Sequence, residues 1–205
     1  MPIRTKQSKI EYITELSQST AHDLSRNAEH WRDFLITAAA LYKYEFPDQL
    51  LIHAQRPDAT ACAELDIWNR RMNRYVNRGA KGIALIDDSG NAPRLRYVFD
   101  ISDTRPSRYG TSRTPYRWEV TEENTEHILS MLHNRYGVNN KYFTDAVKRS
   151  AEKLVNDNLD EYVHEIMQSK ADSFMEEMDR VSIRKNFRDL AVNSVEYCVL
   201  TRFGY

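Results

Sequence analysis

The sequence predicts an α+β fold, with helices packed on a small antiparallel β-sheet and an all-helical C-terminal region behind them. Three observations lead there. Apolar residues recur at helical spacing up to Arg56, short β-rich runs separated by turn residues follow between Tyr75 and Ile101, and from Thr121 to the end the helical period returns. The expected division is 1–118 for the α+β part and 119–205 for the helical part, the latter continuing into a longer protein, because the apolar pattern is still running at Cys198–Tyr205.

Taken in order, Ile10, Ile13 and Leu16 predict a short amphipathic helix over residues 5–20. Trp31, Phe34, Leu35, Ala38, Leu41 and Tyr42 form the apolar stripe of a second helix, with Asn27 as its N-cap and Glu29 in the first turn. Pro47 suits the first turn of a third helix, since its missing N–H is an orphan there anyway. That helix should bury Leu50, Leu51 and Ala54, turn Gln49, His53 and Arg56 to its other side, and end before Pro57. Residues 62–72 can form one more short helix with Leu65 and Trp68 inward.

Tyr75-Val76, Ile83–Ile86 and Leu95–Ile101 are the strand candidates, joined by a tight Arg78–Gly82 turn and a Ser-Gly-Asn loop, hence hairpins. Residues 102–118 lack periodicity and read as a long basic, aromatic loop. Beyond it, a helix capped by Thr121 stops at Gly137. Further patterns run through Phe143, Val147, Ala151 and Leu154, through Leu159, Tyr162, Val163, Ile166 and Met167 with an extension to Phe174 and Met178, and from Ser182 through Ile183, Phe187, Leu190 and Val195.

A 41% hydrophobic, 29% charged chain has the composition of an ordinary globular protein. No apolar run approaches the roughly 20 residues of a membrane span, and the N-terminus lacks the apolar core of a secretory signal. Cys62 and Cys198 have no metal or redox spacing. A cytoplasmic protein is therefore expected. The formal charge of −1 hides a strong asymmetry. Residues 66–118 hold eleven basic and five acidic side chains, net +6, whereas 119–189 hold ten basic and fifteen acidic, net −5. A positive segment of this kind suits a polyanion, or equally an acidic surface of the same chain.

Catalytic constellations were sought and none is present, so no enzyme activity and no cofactor is expected. His164-Glu165-Ile166-Met167-Gln168 starts like the zinc-protease HExxH but has Gln168 where the second imidazole must stand. The phosphate-binding and nucleophile-elbow glycine motifs are missing. What remains is binding: cations interleaved with Trp68, Tyr75, Tyr97, Phe99, Tyr109, Tyr116 and Trp118 are the ingredients of a single-strand groove, in which bases stack on aromatic rings.

One ordered series of motifs adds to this. Gln49-Leu50-Leu51-Ile52, Gln55, Pro57, Ala59-Thr60, Trp68, Gly79-x-Lys81-Gly82-Ile83 and Val98-Phe99-Asp100-Ile101-Ser102-x-Thr104 together resemble the N-terminal domain of ArdC-type antirestriction proteins, as found at the start of large proteins of conjugative elements. The resemblance covers about residues 30–104. It implies a compact α/β unit that binds single-stranded DNA. The chain departs from the family in having Asp48 where Asn is common and in lacking the zinc-protease-like domain, whose place residues 121–205 take. Combined with the residue chemistry, the expected DNA contacts are Gln49, Gln55, Arg56, Trp68, Arg74, Arg78, Lys81 and Arg105. Trp68 reads first as a core anchor and second as a stacking platform, Gln49 and Gln55 read evenly as DNA contacts and as helix-capping and loop-pinning residues, and Lys81 has the second reading of a solvated turn residue. The alternative function is docking of helicase-like or methyltransferase-like domains of a larger protein.

Overall fold

A computed structural model describes residues 6–116 and 119–205 of the chain. The fold is α+β, and the chain divides into two compact units, Met1–Arg117 and Trp118–Tyr205. Helices α1 (Lys6–Arg26), α2 (Ala28–Ala40) and α3 (Phe46–Gln55) open the first unit. Strands β1 (Cys62–Ala63), β2 (Arg74–Val76), β3 (Ile83–Asp87), β4 (Arg94–Asp100) and β5 (Thr104–Pro106) follow.

Asn27 caps α2 as its sequence position suggests, its Oδ1 accepting from the N–H groups of Glu29 and His30 at 2.9 and 3.3 Å. Helix α1 runs past residue 20 because Leu24 still has a core to enter. Tyr42, expected on the apolar stripe of α2, lies beyond its last residue and is exposed. In α3 the third buried residue is Ile52, beside Leu50 and Leu51, while Ala54 is only half-buried. Ile52 and Leu51 meet Ile13, Leu41, Ile83, Leu85 and Val98 in the main core. Full burial of a side chain such as Leu85 or Ile52 contributes about 1.5–3 kcal/mol.

β1, β4 and β3 form a three-stranded antiparallel sheet in that order, with β3–β4 as the expected hairpin. Two expectations are corrected here. The helix expected over residues 62–72 is shorter than that: Cys62–Ala63 pair with β4, and the helical stretch is 65–71, which widens over Ile67–Arg71, where Met72 N–H donates to the Ile67 carbonyl at 3.1 Å. The wide turn rolls Trp68 inward and leaves Leu65 exposed. β2 does not join β3 either. It pairs with β5, a strand formed from the first residues of the supposed loop.

Asp100 ties the strand end to the loop before β1. Its buried carboxylate accepts from Thr60 N–H at 2.8 Å, Ala61 N–H at 3.0 Å, Ser102 N–H at 2.9 Å and Ser102 Oγ at 2.7 Å. Burial pushes this carboxyl up, but the four donors outweigh it and hold the group below its usual range.

The second unit is three helices: α4 (Glu122–Tyr136), α5 (Phe143–Ser169) and α6 (Arg180–Arg202). Gly137 ends α4 in the left-handed region, φ 71°. The two patterns expected over residues 143–167 fuse into one 27-residue helix, because neither Gly nor Pro interrupts it. Its inward line runs Ala151, Val155, Leu159, Val163, which leaves Leu154 exposed. α6 begins earlier than expected, since Asp179 supplies the cap: its Oδ1 accepts from Val181 and Ser182 N–H at 2.8 and 2.9 Å. Val192 packs on Ala151 and Val155, and Ile183 on Leu159 and Val163, so α5 and α6 run antiparallel. Leu190, placed inward by its spacing, is exposed. Among the described residues no helix is long and apolar enough to cross a membrane.

Candidate nucleic-acid interface

The β2–β5 ribbon sorts its side chains by strand alternation. Residues directly opposite in an antiparallel pair project to one face. Arg74↔Pro106 and Val76↔Thr104 flank the central pair Tyr75↔Arg105. On the inner face Arg74 is only 9% exposed, and its Nε donates to Thr104 Oγ1 at 2.8 Å. On the outer face Tyr75 is exposed together with Arg105, whose Nη1 reaches Asn77 Oδ1 at 3.3 Å. The chain then turns, with Ala80 N–H donating to the Asn77 carbonyl at 3.1 Å, and presents Arg78 and Lys81 to solvent before entering β3.

Gly82 has a different role from the one its motif suggests. A Cβ there would lie 3.2 Å from the Cβ and Cδ1 of Tyr97 and from the Cζ of Phe99. The missing side chain makes room for two β4 aromatics, one residue after Lys81, rather than for a phosphate.

The stretch after β5 is folded, not a free loop. Asn73, at φ 49°, organises it. Its carbonyl accepts from Ser107 N–H at 3.0 Å and Ser112 Oγ at 2.7 Å, and its Nδ2 donates to the Tyr109 carbonyl at 2.8 Å. Gly110 has φ 74°, and a Cβ there would press on Asn73 Nδ2 at 3.2 Å, so the site demands glycine on both counts. This fold holds Arg108, Tyr109 and Arg113 outward beside the ribbon's Asn73 end. Arg117 and Trp118, assigned to the same loop, lie outside the described residues.

Chain comparisons add nothing to this geometry: no family model, curated protein or solved structure matches the sequence.

Five of the eight expected DNA contacts are committed to the protein itself. Gln55 is the clearest. Its Nε2 donates to the carbonyls of Leu51 and Ala84 at 2.9 and 2.8 Å, and its Oε1 accepts from Ala84 N–H at 2.9 Å. The amide completes the outer edge of β3 as a neighbouring strand would. Gln49 Nε2 donates to the Leu41 carbonyl at 3.1 Å and closes the α2–α3 connection. Arg56 donates to Asp103 Oδ2 and Ser102 Oγ, each at 2.8 Å, and the Asp103 bond holds its guanidinium above the usual range. Trp68 is 1% exposed, with Nε1 donating to the Phe99 carbonyl at 2.8 Å, so its ring cannot receive a base. Arg74 is the fifth. Arg78, Lys81 and Arg105 alone remain outward.

Four of the five local anions are engaged, while Asp88 is exposed with no ion pair among the described residues. Asp66 faces Arg70, Asp87 faces Arg94, Asp103 faces Arg56, and Asp100 is saturated by N–H and hydroxyl donors. Asp48 is paired with Arg96, which also lies 3.7 Å from Glu64. Burial pushes the Asp48 carboxyl up, against the pull of that guanidinium. Among the described residues, Arg71, Arg78, Lys81, Arg105, Arg108 and Arg113 are exposed and have no carboxylate partner. Arg71, Arg108 and Arg113 are not among the eight expected contacts, although Arg108 and Arg113 belong to the basic loop the sequence marks out.

No three His, Cys, Asp or Glu side chains among the described residues converge on a metal position. His164 Nε2 is engaged at 2.9 Å by Gln168, the residue that breaks the HExxH pattern. Burial, reinforced by the nearby Asp100 charge, pushes the Cys62 thiol up to about 12 and leaves it unreactive.

Proposed function

We propose that this chain is a non-catalytic module that holds single-stranded DNA on the outer face of the β2–β5 ribbon and the following turn, as the resemblance to ArdC-type N-terminal domains implies. One observation carries the reading. Among the described residues, six exposed cations of one stretch lack a carboxylate partner, while four of its five anions, all but the exposed Asp88, are engaged internally. A guanidinium with no internal partner is free to meet a phosphate, and each phosphate met releases counterions. Asp48 does not oppose the polyanion, because Arg96 balances it. The module belongs, on this reading, to a cytoplasmic protein of a mobile element.

The test is a fluorescence anisotropy titration of a labelled single-stranded oligonucleotide at two salt concentrations. Binding in the micromolar range at low salt, falling steeply as salt rises, is expected. No binding at low salt removes the proposal.

A second reading, docking of neighbouring domains of a longer protein through the helical unit, has its own support. No residue of α4 is buried, and Met131, Phe174, Val181 and Leu190 are exposed. Sedimentation velocity across a hundredfold concentration range tests it. Self-association through these residues supports the reading, and a strictly monomeric chain speaks against it.

A further inference from the structure

The cations account for affinity to any polyanion, but they do not distinguish a single strand from a duplex. Two tyrosines do. Tyr75 and Tyr97 are each 44% exposed, and neither side chain makes a hydrogen bond or a stacking contact with another ring among the described residues. Their positions are fixed by backbone pairing rather than by side-chain packing. Tyr75 stands opposite Arg105 on the outer face of the ribbon, two residues before Asn77 opens the turn. Tyr97 stands opposite Ala84 in the β3–β4 ladder, and its Cβ and Cδ1 lie against the open flank of Gly82, at the far end of the same turn. The chain thus runs from one exposed ring, through the cations Arg78 and Lys81, to a residue that a second exposed ring overlies.

An exposed tyrosine has a bland explanation, since rings favour strands for their own sake. Gly82 argues against it here. Glycine weakens a β-rich segment by its backbone entropy, and at this position a Cβ would crowd Tyr97 Cβ, Tyr97 Cδ1 and Phe99 Cζ at 3.2 Å. The chain therefore accepts a cost that keeps Tyr97 seated beside the Lys81 turn.

Resting on the single-strand reading above, we propose that Tyr75 and Tyr97 are base-stacking residues at either end of the Arg78–Lys81 turn, and that the ligand they select is a nucleic acid with unpaired bases. Phosphates spanning the turn meet Arg78, Lys81 and Arg105, while flanking bases lie on the two rings. A duplex, whose bases are already stacked on one another, offers this site its phosphates alone.

The experiment compares three probes of matched phosphate number on the full chain at low salt: oligo(dT), an abasic oligonucleotide of the same length, and a blunt duplex of half that length. The site takes oligo(dT) at least about tenfold more tightly than the abasic strand or the duplex, since each stacked base contributes a factor of that size or more. Tyr75→Ala and Tyr97→Ala each weaken oligo(dT) binding about tenfold and leave abasic binding and the salt slope unchanged. Tyr75→Phe and Tyr97→Phe retain wild-type binding, because the ring and not the hydroxyl carries the contact. Equal affinity of the wild-type chain for oligo(dT) and the abasic strand overturns the stacking proposal while leaving DNA binding intact, and needs no variant to fold. Unchanged oligo(dT) affinity in either alanine variant also overturns it. Absence of binding to all three probes removes the underlying single-strand reading instead.

Discussion

Arg74 and Arg78 stand four residues apart in one basic segment, yet they belong to different regions of the molecule. Arg74 is on the inner face of the β2–β5 ribbon, where its Nε donates to Thr104 Oγ1. Arg78 is past the strand end, in the turn, and has no partner among the described residues. The same division separates Trp68 from Tyr75 and Tyr97, and Gln55 and Arg56 from Lys81 and Arg105. The lesson concerns what a basic, aromatic segment is made of. Part of it builds the platform, using cations and amides as internal hydrogen-bond donors, and the rest is available to a ligand because the platform already engages most of the anions nearby.

That comparison breaks most visibly at Trp68. Trp68→Ala removes a fully buried ring and strands the Phe99 carbonyl, so a loss of about 3–5 kcal/mol in chemical denaturation is expected. A loss below about 1 kcal/mol, with weakened DNA binding, would return Trp68 to the ligand side.

Asp100 gives the next effect. Asn at this position accepts through one oxygen and brings an NH2 group against the Thr60 and Ala61 N–H donors, which costs about 2–3 kcal/mol at neutral pH. The sign of the pH dependence follows from its lowered carboxyl range. The stabilisation is fully present above the ordinary carboxyl range and is lost as pH falls through the depressed folded value. His53 acts in the same direction at higher pH. Burial lowers its range, and Thr37 Oγ1, which donates to the Pro57 carbonyl at 3.1 Å, lies 2.8 Å from its Nδ1. The neutral ring therefore stabilises the fold above the usual histidine range, and that contribution fades as pH drops through it. Thermal unfolding from pH 7 to pH 2 should show two descending steps in the wild type, with the more acidic one reduced in Asp100→Asn and the remainder left to carboxylates such as Asp87 and Asp179. A wild-type curve flat over that range would contradict both assignments.

A matched pair sharpens the ribbon comparison. Arg74→Met keeps the aliphatic stem and loses the bond to Thr104, for a stability cost of about 1–3 kcal/mol and little change in DNA affinity. Arg78→Met, in contrast, stays within about 0.5 kcal/mol of wild-type stability and reduces the salt slope of DNA binding by about one phosphate contact. Denaturation and anisotropy on both variants check this, and equal behaviour of the two would erase the distinction.

Much of the fold was legible because local signals agreed with it. Asn27 as a cap, Pro47 in a first turn, Gly137 as a stop and the β3–β4 hairpin each rest on chemistry within a few residues. The failures are non-local. Nothing near Arg105 says that residues 104–106 will pair with a strand about thirty positions earlier, and that pairing alone decides that Arg74 points inward and Tyr75 outward. Likewise Gln55 reads as a surface amide until Ala84 is brought to it. The candidate site was therefore legible as a composition and illegible as a surface. Sorting the eight expected contacts into five internal and three outward ones needed the tertiary partners.

The central claim is that the outward cations of the ribbon and turn hold the strand. Its most direct test is the oligo(dT) affinity of the full chain carrying Arg78→Glu, Lys81→Glu and Arg105→Glu together, read by anisotropy at low salt beside the wild type, with thermal unfolding as the control. The account predicts an unchanged unfolding temperature and a loss of binding of at least about a hundredfold, as three phosphate contacts turn repulsive. Wild-type affinity in that triple variant would contradict it.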